Sequence, residues 1–298
     1  MPRRLLHRFL PPALAAASQA GKKILQVYHG DIDVTYKEDD SPLTVADKQA
    51  HQTIVHFLSS VANTNIPILS EEGKDIPYKE RTDWEYFWLV DPLDGTKEFI
   101  QRRDEFTVNI ALIEKTRPIA GIVYPPALGS LYLAAEGLGS FKFEDVKVVD
   151  QAFLDQQGSL GGMPGLQDLI ELAIELPFQR IGKRYTDRLN LVGSRLHGTE
   201  DLADFVDKMK QEYRDVGFVS AGSALKFCLI AEGSADVYPR FGPTMEWDTA
   251  AGQCVVEQSG GTVLSMKEKR PLAYNKQDLH NPHFVCIGRS VRNLGLPL

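Results

Sequence analysis

An apolar run that ends on two aspartates is the feature that most constrains how this chain can fold. The run covers residues 86–90, and the letters that follow, DPLDGTKEF, place Asp91 and Asp94 three positions apart. The run predicts a buried strand, and charge is costly to bury unless it is paired or bound to a metal. The aspartates therefore indicate either a tight surface turn or a metal site at a strand end, and turn chemistry favours the first when the segment is read alone.

The first half of the chain alternates helices with strands that read as antiparallel. We predict a first helix over residues 12–28, because two adjacent prolines interrupt the apolar run before it. A hairpin-like segment follows at 31–44, and a second helix begins after Pro42 with Thr44 or Asp47 in its first turn. Further strands are predicted near 66–70 and within 106–137.

The second half alternates helices with short apolar strands, a pattern typical of an α/β layered unit. The segment 155–188 resembles neither neighbour, so we interpret it as an insertion with one short helix near 166–176. The chain accordingly divides into an α+β half at 1–140 and an α/β half at 141–298.

Charge and cysteine usage argue against some classes of protein. The 33 basic and 40 acidic residues give a net charge of −7, which disfavours general nucleic-acid binding. Cys228, Cys254 and Cys286 form neither a disulfide framework nor a metal-binding pair, so we expect buried thiols in a reducing compartment. No run approaches the roughly 20 apolar residues of a membrane span. We expect a cytoplasmic protein, although the arginines at positions 3, 4 and 8 leave open a weak peripheral contact with the cytoplasmic side of the inner membrane.

Three acidic clusters follow or interrupt apolar segments: Glu71-Glu72, Asp91 with Asp94, and Glu246-Trp247-Asp248. Hard cations such as Mg²⁺ take carboxylates, backbone carbonyls and waters as ligands. The proline between the two aspartates restrains their turn, so the Leu93 carbonyl can point the same way as both carboxylates, while Gly95 permits a close approach or a positive φ. Each cluster also has an ordinary alternative: a surface turn at the aspartates, a solvated loop at 71–72, or a helix cap at Asp248.

The three clusters lie, in order, within the motifs LSEEG, WLVDPLDGTKEF and EWDTAAG. In order and spacing these motifs resemble the signatures of the lithium-sensitive, Mg²⁺-dependent phosphatase superfamily that includes the inositol monophosphatases. The likeness runs from about residue 13 to residue 285, apart from the segment 155–188. It implies a layered αβαβα sandwich of the inositol monophosphatase and sugar phosphatase type, of mixed α+β and α/β character, with the active site in the cleft between the two halves.

Four further segments resemble the 3'(2'),5'-bisphosphate nucleotidase branch of that superfamily, the bacterial CysQ type in particular: SPLTVADKQAH, DGTKEFIQRRDEFTVNIAL, GSALKFCLIAEG and VYPRFGPTMEWDTAAG. A second substrate phosphate needs a second anion-binding group, and Lys226 and Arg240 could supply it through charge-assisted hydrogen bonds. Without the resemblance, Lys226 reads more simply as a lysine that snorkels from an amphipathic helix.

The resemblance implies a role for each matching residue. It makes Asp47 and Thr96 the residues that orient the attacking water, with Glu72 as a more distant helper and no covalent phosphoenzyme. The implied metal ligands are Glu71, Asp91, the Leu93 carbonyl, Asp94 and Asp248. The implied substrate contacts are Glu71, Leu93, Asp94, Gly95, Thr96, His197, Ser223, Lys226, Arg240 and Asp248. Most metal ligands then lie in the half at 1–140, and Asp248 and the nucleotide-binding residues in the half at 141–298.

The reaction implied by the resemblance is Mg²⁺-dependent, lithium-sensitive hydrolysis of adenosine 3',5'-bisphosphate to AMP and phosphate, in support of sulfate assimilation. A second implied substrate is 3'-phosphoadenylyl sulfate. The run GSRLHGTE departs from the family pattern, because Leu196 replaces a serine, which affects nucleotide recognition rather than hydrolysis. Two alternatives stay open: an inositol or other sugar-phosphate phosphatase, and a non-catalytic metal-binding regulatory protein. The oligomeric state is also open.

Overall fold

The computed structural model describes residues 3–37, 42–61, 65–156, 164–178, 188–194 and 200–291. Its helices are α1 (Arg3–Tyr28), α2 (Val45–Ser59), α3 (Tyr78–Arg81), α4 (Thr96–Ile100), α5 (Val146–Gln156), α6 (Leu166–Ile170), α7 (Glu200–Glu212), α8 (Leu225–Glu232) and α9 (Glu246–Gln258). Its strands are β1 (Val34–Tyr36), β2 (Pro42–Thr44), β3 (Ile68–Ser70), β4 (Tyr86–Asp94), β5 (Thr107–Glu114), β6 (Arg117–Tyr124), β7 (Leu131–Ala135), β8 (Gly139–Phe143), β9 (Ile174–Glu175), β10 (Arg188–Gly193), β11 (Asp215–Ser220), β12 (Val237–Arg240), β13 (Thr262–Ser265) and β14 (Phe284–Ile287).

The first helix extends further toward the N-terminus than its prolines suggest. It begins at Arg3, with Pro11 and Pro12 inside it. Proline in a helix interior costs about 3 kcal/mol, whereas burying one large apolar side chain contributes about 1.5–3 kcal/mol. Leu6 and Phe9 are buried in the core ahead of the prolines. Their packing explains why the predicted start near residue 12 was wrong.

The hairpin and the start of the second helix are confirmed. Strands β1 and β2 pair antiparallel, so the chain turns back immediately before α2. Thr44 caps α2 by accepting a hydrogen bond from the Ala46 amide at 3.1 Å. Asp47 completes the capping box, because its Oδ2 accepts hydrogen bonds from the amide of Thr44 at 2.7 Å and from its hydroxyl at 2.6 Å.

Two sheets separate three layers of helices. The larger sheet has the strand order β3-β4-β5-β6-β7-β8-β9, and every pair except β3/β4 is antiparallel. The smaller sheet has the order β11-β10-β12-β14-β13. Helices α1 and α2 pack on the outer face of the larger sheet, α8 and α9 lie between the sheets, and α7 covers the smaller sheet. The predicted αβαβα sandwich is confirmed.

The larger sheet continues well beyond residue 140. Strands β8 and β9 both belong to it, and the Leu176 amide donates to the Ser140 carbonyl at 2.8 Å. Leu166 and Leu169 of α6 are buried in the core beside α1. The described part of the predicted insertion, 164–178, is therefore built into the first sheet and its core, and the change of sheet falls between β9 and β10. The division of roles between 1–140 and 141–298 stays a prediction.

The predicted burial of the cysteines also agrees with the structure. Cys228, Cys254 and Cys286 are free and buried, and burial raises the pKa of all three thiols well above the ordinary value. Such thiols are poor nucleophiles and poor metal ligands. Among the described helices, none combines the length and apolar character needed to span a bilayer.

Candidate active site

The strand that reaches the two aspartates continues through them. In β4, Asp91 pairs with Asn109 of β5 and Asp94 pairs with Thr107, with a shift of register between the two pairs. Such a shift bends a strand and re-aims its side chains. The amide of Leu93 donates to Asp91 Oδ1 at 3.0 Å, which holds the turn between the two carboxylates.

A third carboxylate joins this pair from the other half of the chain. Asp91, Asp94 and Asp248 each offer an oxygen within 4.8 Å of the others, and Asp91 is buried. Asp248 lies in the first turn of α9, where its Oδ2 accepts a hydrogen bond from the Met245 amide at 2.9 Å. The helix-cap alternative is thus correct for one oxygen of Asp248, but it leaves the proximity to the other two aspartates unexplained.

The three carboxylates lie close enough together that their negative charges repel one another. Burial and the neighbouring negative charges raise the pKa of Asp91 and of Asp248 well above the ordinary value. Burial raises the pKa of Asp94 to about 6, although nearby Lys226 and a hydrogen bond from Asn109 act in the opposite direction. Clustered carboxylate oxygens are the ligands that hard divalent cations prefer. The donor set therefore fits a divalent metal ion.

Glu71 and Glu72 lie beside this cluster but have a different partner. The Lys37 ammonium lies 2.8 Å from Glu71 Oε1 and 2.6 Å from Glu72 Oε1. Glu71 is near enough that its charge raises the pKa of Asp91. Lys37 was not predicted to be in the site, because no spacing rule connects a lysine after β1 with glutamates after β3.

Asp47 and Thr96 meet next to the turn that carries Asp91 and Asp94, although they lie in the first turns of different helices. Thr96 Oγ1 lies 3.4 Å from Asp47 Oδ1 and 3.3 Å from the Leu93 carbonyl. Burial raises the pKa of Asp47 above its ordinary value. Gly95, which precedes Thr96, has a φ of +89°, and a Cβ there would lie 3.2 Å from Cβ of Ser223. Both uses of glycine expected at position 95, positive φ and close approach, are confirmed.

A cavity of about 370 Å³ connects the carboxylates with a basic wall. Its lining includes ten of the predicted site residues: Glu71, Asp91, Leu93, Asp94, Gly95, Thr96, Ser223, Lys226, Arg240 and Asp248. Asp47 and Glu72 are not part of the lining: Asp47 contacts the lining residue Thr96, and Glu72 shares Lys37 with the lining residue Glu71. His197 and the substituted position Leu196 lie outside the described residues.

Lys226 is buried in the wall of this cavity. Its ammonium donates to the Ser223 carbonyl at 2.7 Å and to the Ala221 carbonyl at 3.3 Å. Burial lowers its pKa to about 8, against the opposing charge of Asp94. A side chain that is only 4% exposed does not snorkel to solvent, so the simpler alternative for Lys226 was wrong.

Two buried polar groups lie beside Lys226. The Ser223 hydroxyl and Arg240 Nε are buried and accept or donate no hydrogen bond within the described part of the chain. Arg240 is held by a hydrogen bond from Nη2 to the Pro243 carbonyl at 3.0 Å, and Ser223 has a φ of +40°. Buried polar groups are normally paired. These two are available to a ligand that enters the cavity.

Some site residues were missed from the sequence. Asn109 Nδ2 donates to Asp94 Oδ2 at 3.3 Å, and its own Oδ1 accepts from the Thr107 hydroxyl at 3.0 Å. The sequence signal that could have identified Asn109 was one asparagine within the mostly apolar strand β5. Tyr238 and Trp247 line the cavity, and Trp247 lies between the two acidic residues of a motif already singled out.

Comparison with known proteins agrees with this arrangement. The model of the inositol monophosphatase family matches residues 5–293. The protein named 3'(2'),5'-bisphosphate nucleotidase CysQ from Shigella flexneri is 41% identical over 272 residues, which cover 90% of this chain and 95% of that protein. The protein of the same name from Haemophilus influenzae is 32% identical over 285 residues, covering 95% and 94%.

Solved structures give the same assignment. The crystal structure of CysQ from Bacteroides thetaiotaomicron, titled a bacterial member of the inositol monophosphatase family, matches with a TM-score of 0.79 and 42% identity over 93% of this chain and 96% of that one. The suhB protein of Bartonella henselae matches with a TM-score of 0.67 and 22% identity over 95% and 94%, which shows a common fold. The chain described here belongs to the inositol monophosphatase family.

Proposed function

We propose that this protein is a Mg²⁺-dependent 3'(2'),5'-bisphosphate nucleotidase, a phosphoric monoester hydrolase that converts adenosine 3',5'-bisphosphate to AMP and phosphate during sulfate assimilation. The observation that carries the proposal is a single cavity with two chemically different ends. One end holds the carboxylates of Asp91, Asp94 and Asp248, and the other holds Lys226 with the unpartnered donors of Ser223 and Arg240. A substrate with two phosphates would engage both ends at once.

The carboxylate end is proposed to hold the metal and the phosphate that is removed. Asp91, Asp94, Asp248, Glu71 and the Leu93 carbonyl would be the ligands. Bound Mg²⁺ would lower the pKa of a water and stabilise the charge that develops on the phosphoryl group.

The attacking water is proposed to be oriented by Thr96 and Asp47, with Glu72 nearby. A threonine hydroxyl that donates to Asp47 Oδ1 can accept a hydrogen bond from the water, which turns the lone pair of the water toward phosphorus. The aspartate is already fixed on its other oxygen by the cap of α2, so the threonine and the water have a rigid support.

The basic end is proposed to hold the retained 5'-phosphate and its sugar. Hydrogen bonds between a charged donor and phosphate are about twice as strong as neutral ones, so Lys226 and Arg240 provide most of the affinity at this end. Ser223 adds a hydroxyl donor, and the family resemblance adds His197. Because the same contacts can hold the 5'-linked sulfated phosphate, 3'-phosphoadenylyl sulfate is proposed as a second substrate.

An inositol or other sugar monophosphatase is the alternative within this family. Such a substrate would use the carboxylate end and leave Lys226 and Arg240 without an anion, which is why we favour the bisphosphate. We propose a cytoplasmic location on the basis of the free cysteines. Membrane contact is not part of the proposal, because α1 packs an apolar face into the core.

Phosphate release tests the proposed substrate. Adenosine 3',5'-bisphosphate, adenosine 3'-monophosphate and inositol 1-phosphate are compared with increasing Mg²⁺, with and without lithium. We expect kcat/KM for the bisphosphate to exceed that for the 3'-monophosphate by about 10- to 100-fold, because one charged phosphate contact is worth about 1.5–3 kcal/mol. Preference for inositol 1-phosphate would overturn the substrate but retain the metal chemistry.

A further inference from the structure

A buried polar bridge connects the two halves of the molecule at the start of α9, the helix that carries Asp248. It consists of Arg81, Asn275 and Glu246, which are 2%, 7% and 0% exposed. None of the three lines the cavity. We propose that this bridge positions Asp248 against Asp91 and Asp94, and thereby sets the affinity for the divalent cation without contacting it. The inference rests on the metal site of the proposed function.

Arg81 forms the end of the bridge in the first half. It closes α3, in the segment that leads from Glu71 to β4. Its Nη1 donates to Asn275 Oδ1 at 2.9 Å and to the Lys276 carbonyl at 2.6 Å, and its Nη2 donates to the Gln277 carbonyl at 3.2 Å. Asn275 Nδ2 returns a hydrogen bond to the Arg81 carbonyl at 2.7 Å. The contact is therefore reciprocal, which fixes both position and orientation.

Glu246 forms the end of the bridge in the second half. Its Oε2 accepts a hydrogen bond from the backbone N–H of Asn275 at 2.7 Å. Its Oε1 accepts from the backbone N–H of Lys276 at 2.9 Å and from the Lys276 ammonium at 2.6 Å. Glu246 is the first residue of α9, two positions before Asp248. The EWDTAAG motif thus contains two acids with different tasks, one facing the cavity and one facing the bridge.

Hydrogen bonds at the backbone of Met245 and Glu246 carry this restraint to the Asp248 carboxylate. The Glu246 amide donates to the Leu279 carbonyl at 2.9 Å, and Asn281 Nδ2 donates to the Met245 carbonyl at 2.7 Å. The Met245 amide in turn donates to Asp248 Oδ2. The segment 273–281 therefore surrounds the start of α9, and Arg81 ties that segment to the first half.

The position of Asp248 relative to Asp91 and Asp94 needs to be fixed for a chemical reason. Asp91 and Asp94 lie on β4, whereas Asp248 comes from a helix that belongs to the other half. Some residues orient a metal ligand without binding the metal themselves. Their replacement changes metal affinity by about 10- to 100-fold. A buried charged network in which every member is hydrogen-bonded is also rigid. The bridge supplies that rigidity where the two halves meet.

The decisive variant is Asn275→Gly. It removes the side-chain amide that both accepts from and donates to Arg81, while the bonds from Arg81 to the Lys276 and Gln277 carbonyls remain. It changes no charge, and glycine accepts the φ of +63° found at this position. The matched control is Glu232→Gln, which alters another buried glutamate that lies 2.6 Å from a lysine, Lys142. Glu232 ties α8 to β7 and β8 and does not line the cavity. Arg81→Met serves as a second variant, and it removes one positive charge from the bridge.

Isothermal titration calorimetry of Mg²⁺ and Mn²⁺ into the metal-free proteins, without substrate, tests the bridge. We expect Asn275→Gly to weaken cation binding about tenfold and Glu232→Gln to leave the dissociation constant unchanged. Arg81→Met should also weaken binding, whereas a purely electrostatic effect would strengthen it, because a positive charge is lost. The double variant should lose no more affinity than Arg81→Met alone.

Three results would overturn the bridge: a folded Asn275→Gly protein with an unchanged dissociation constant, tighter binding in Arg81→Met, or equal weakening in Glu232→Gln. Failure of the proposed function gives a different pattern. If the unaltered protein binds the cations but does not hydrolyse the bisphosphate, the affinity changes above still support the bridge. If the unaltered protein binds neither cation, both proposals are rejected.

Discussion

The Lys37 ammonium lies 2.8 Å from Oε1 of Glu71. Lys37 is thus the cation that balances a glutamate expected to bind the metal, and it balances Glu72 as well. The two glutamates raise the pKa of Lys37 above its ordinary value, although burial acts against them. A metal ion that takes Glu71 as a ligand must compete with this ion pair.

Replacement of Lys37 by Met is therefore expected to tighten Mg²⁺ binding. A partly exposed ion pair contributes up to about 1 kcal/mol, so the gain is at most about fivefold. Calorimetric titration of the metal-free protein measures it. Lys74→Met, an exposed lysine in the same loop, is the control, and an equal gain there would show that general charge and not the ion pair is responsible.

Asp94→Asn should reduce turnover to background, a loss of at least about 10³-fold, while the protein stays folded. The amide keeps the shape of the side chain but loses the charge that a divalent ion requires. Phosphate release gives the activity, and circular dichroism gives the fold. Near-normal activity in a folded variant would remove Asp94 from the metal site.

Lys226→Ala should raise KM for adenosine 3',5'-bisphosphate by about 10- to 100-fold, because a charge-assisted hydrogen bond to phosphate is lost. KM for adenosine 3'-monophosphate should change little, since that substrate lacks the 5'-phosphate. Lys97→Ala, which removes an exposed lysine at the cavity, is the control. Equal effects on both substrates would exclude Lys226 from the second phosphate site.

The stability of the metal-free protein should fall as the pH rises from about 4 to about 6. The pKa of Asp94 is about 6 in the folded protein and 3.8 as its ordinary value, so the folded state binds the extra proton in this window. The stabilising contribution is complete below pH 4 and lost through pH 6, about 3 kcal/mol in all.

Thermal unfolding across this range, compared with Asp94→Asn, measures the effect. The variant should lack the part of the decline that Asp94 causes, and Mg²⁺ should restore the unaltered protein most strongly above pH 6. Parallel curves for the two proteins would contradict the raised pKa of Asp94.

Local patterns in the sequence were sufficient for several elements. Thr44 and Asp47 predicted the start of α2, because a capping box acts within one turn of helix. The apolar run before Asp91 predicted β4, and the proline and glycine of the motif predicted its turn. The start of α1 could not be predicted in this way, because the packing of Leu6 and Phe9 against distant strands outweighs the local effect of two prolines.

The sequence by itself determined which residues could carry the chemistry. Carboxylates at the ends of strands and helices, and a glycine at a positive φ, can be recognised from the few residues on either side of them. Only the tertiary structure decided how those groups act on one another. It brought Asp248 to Asp91 and Asp94, placed Lys37 on Glu71 and buried Lys226. The physical reason is that desolvation and Coulomb interaction depend on distance in space and on the loss of water, and neither is encoded in the spacing of residues along the chain.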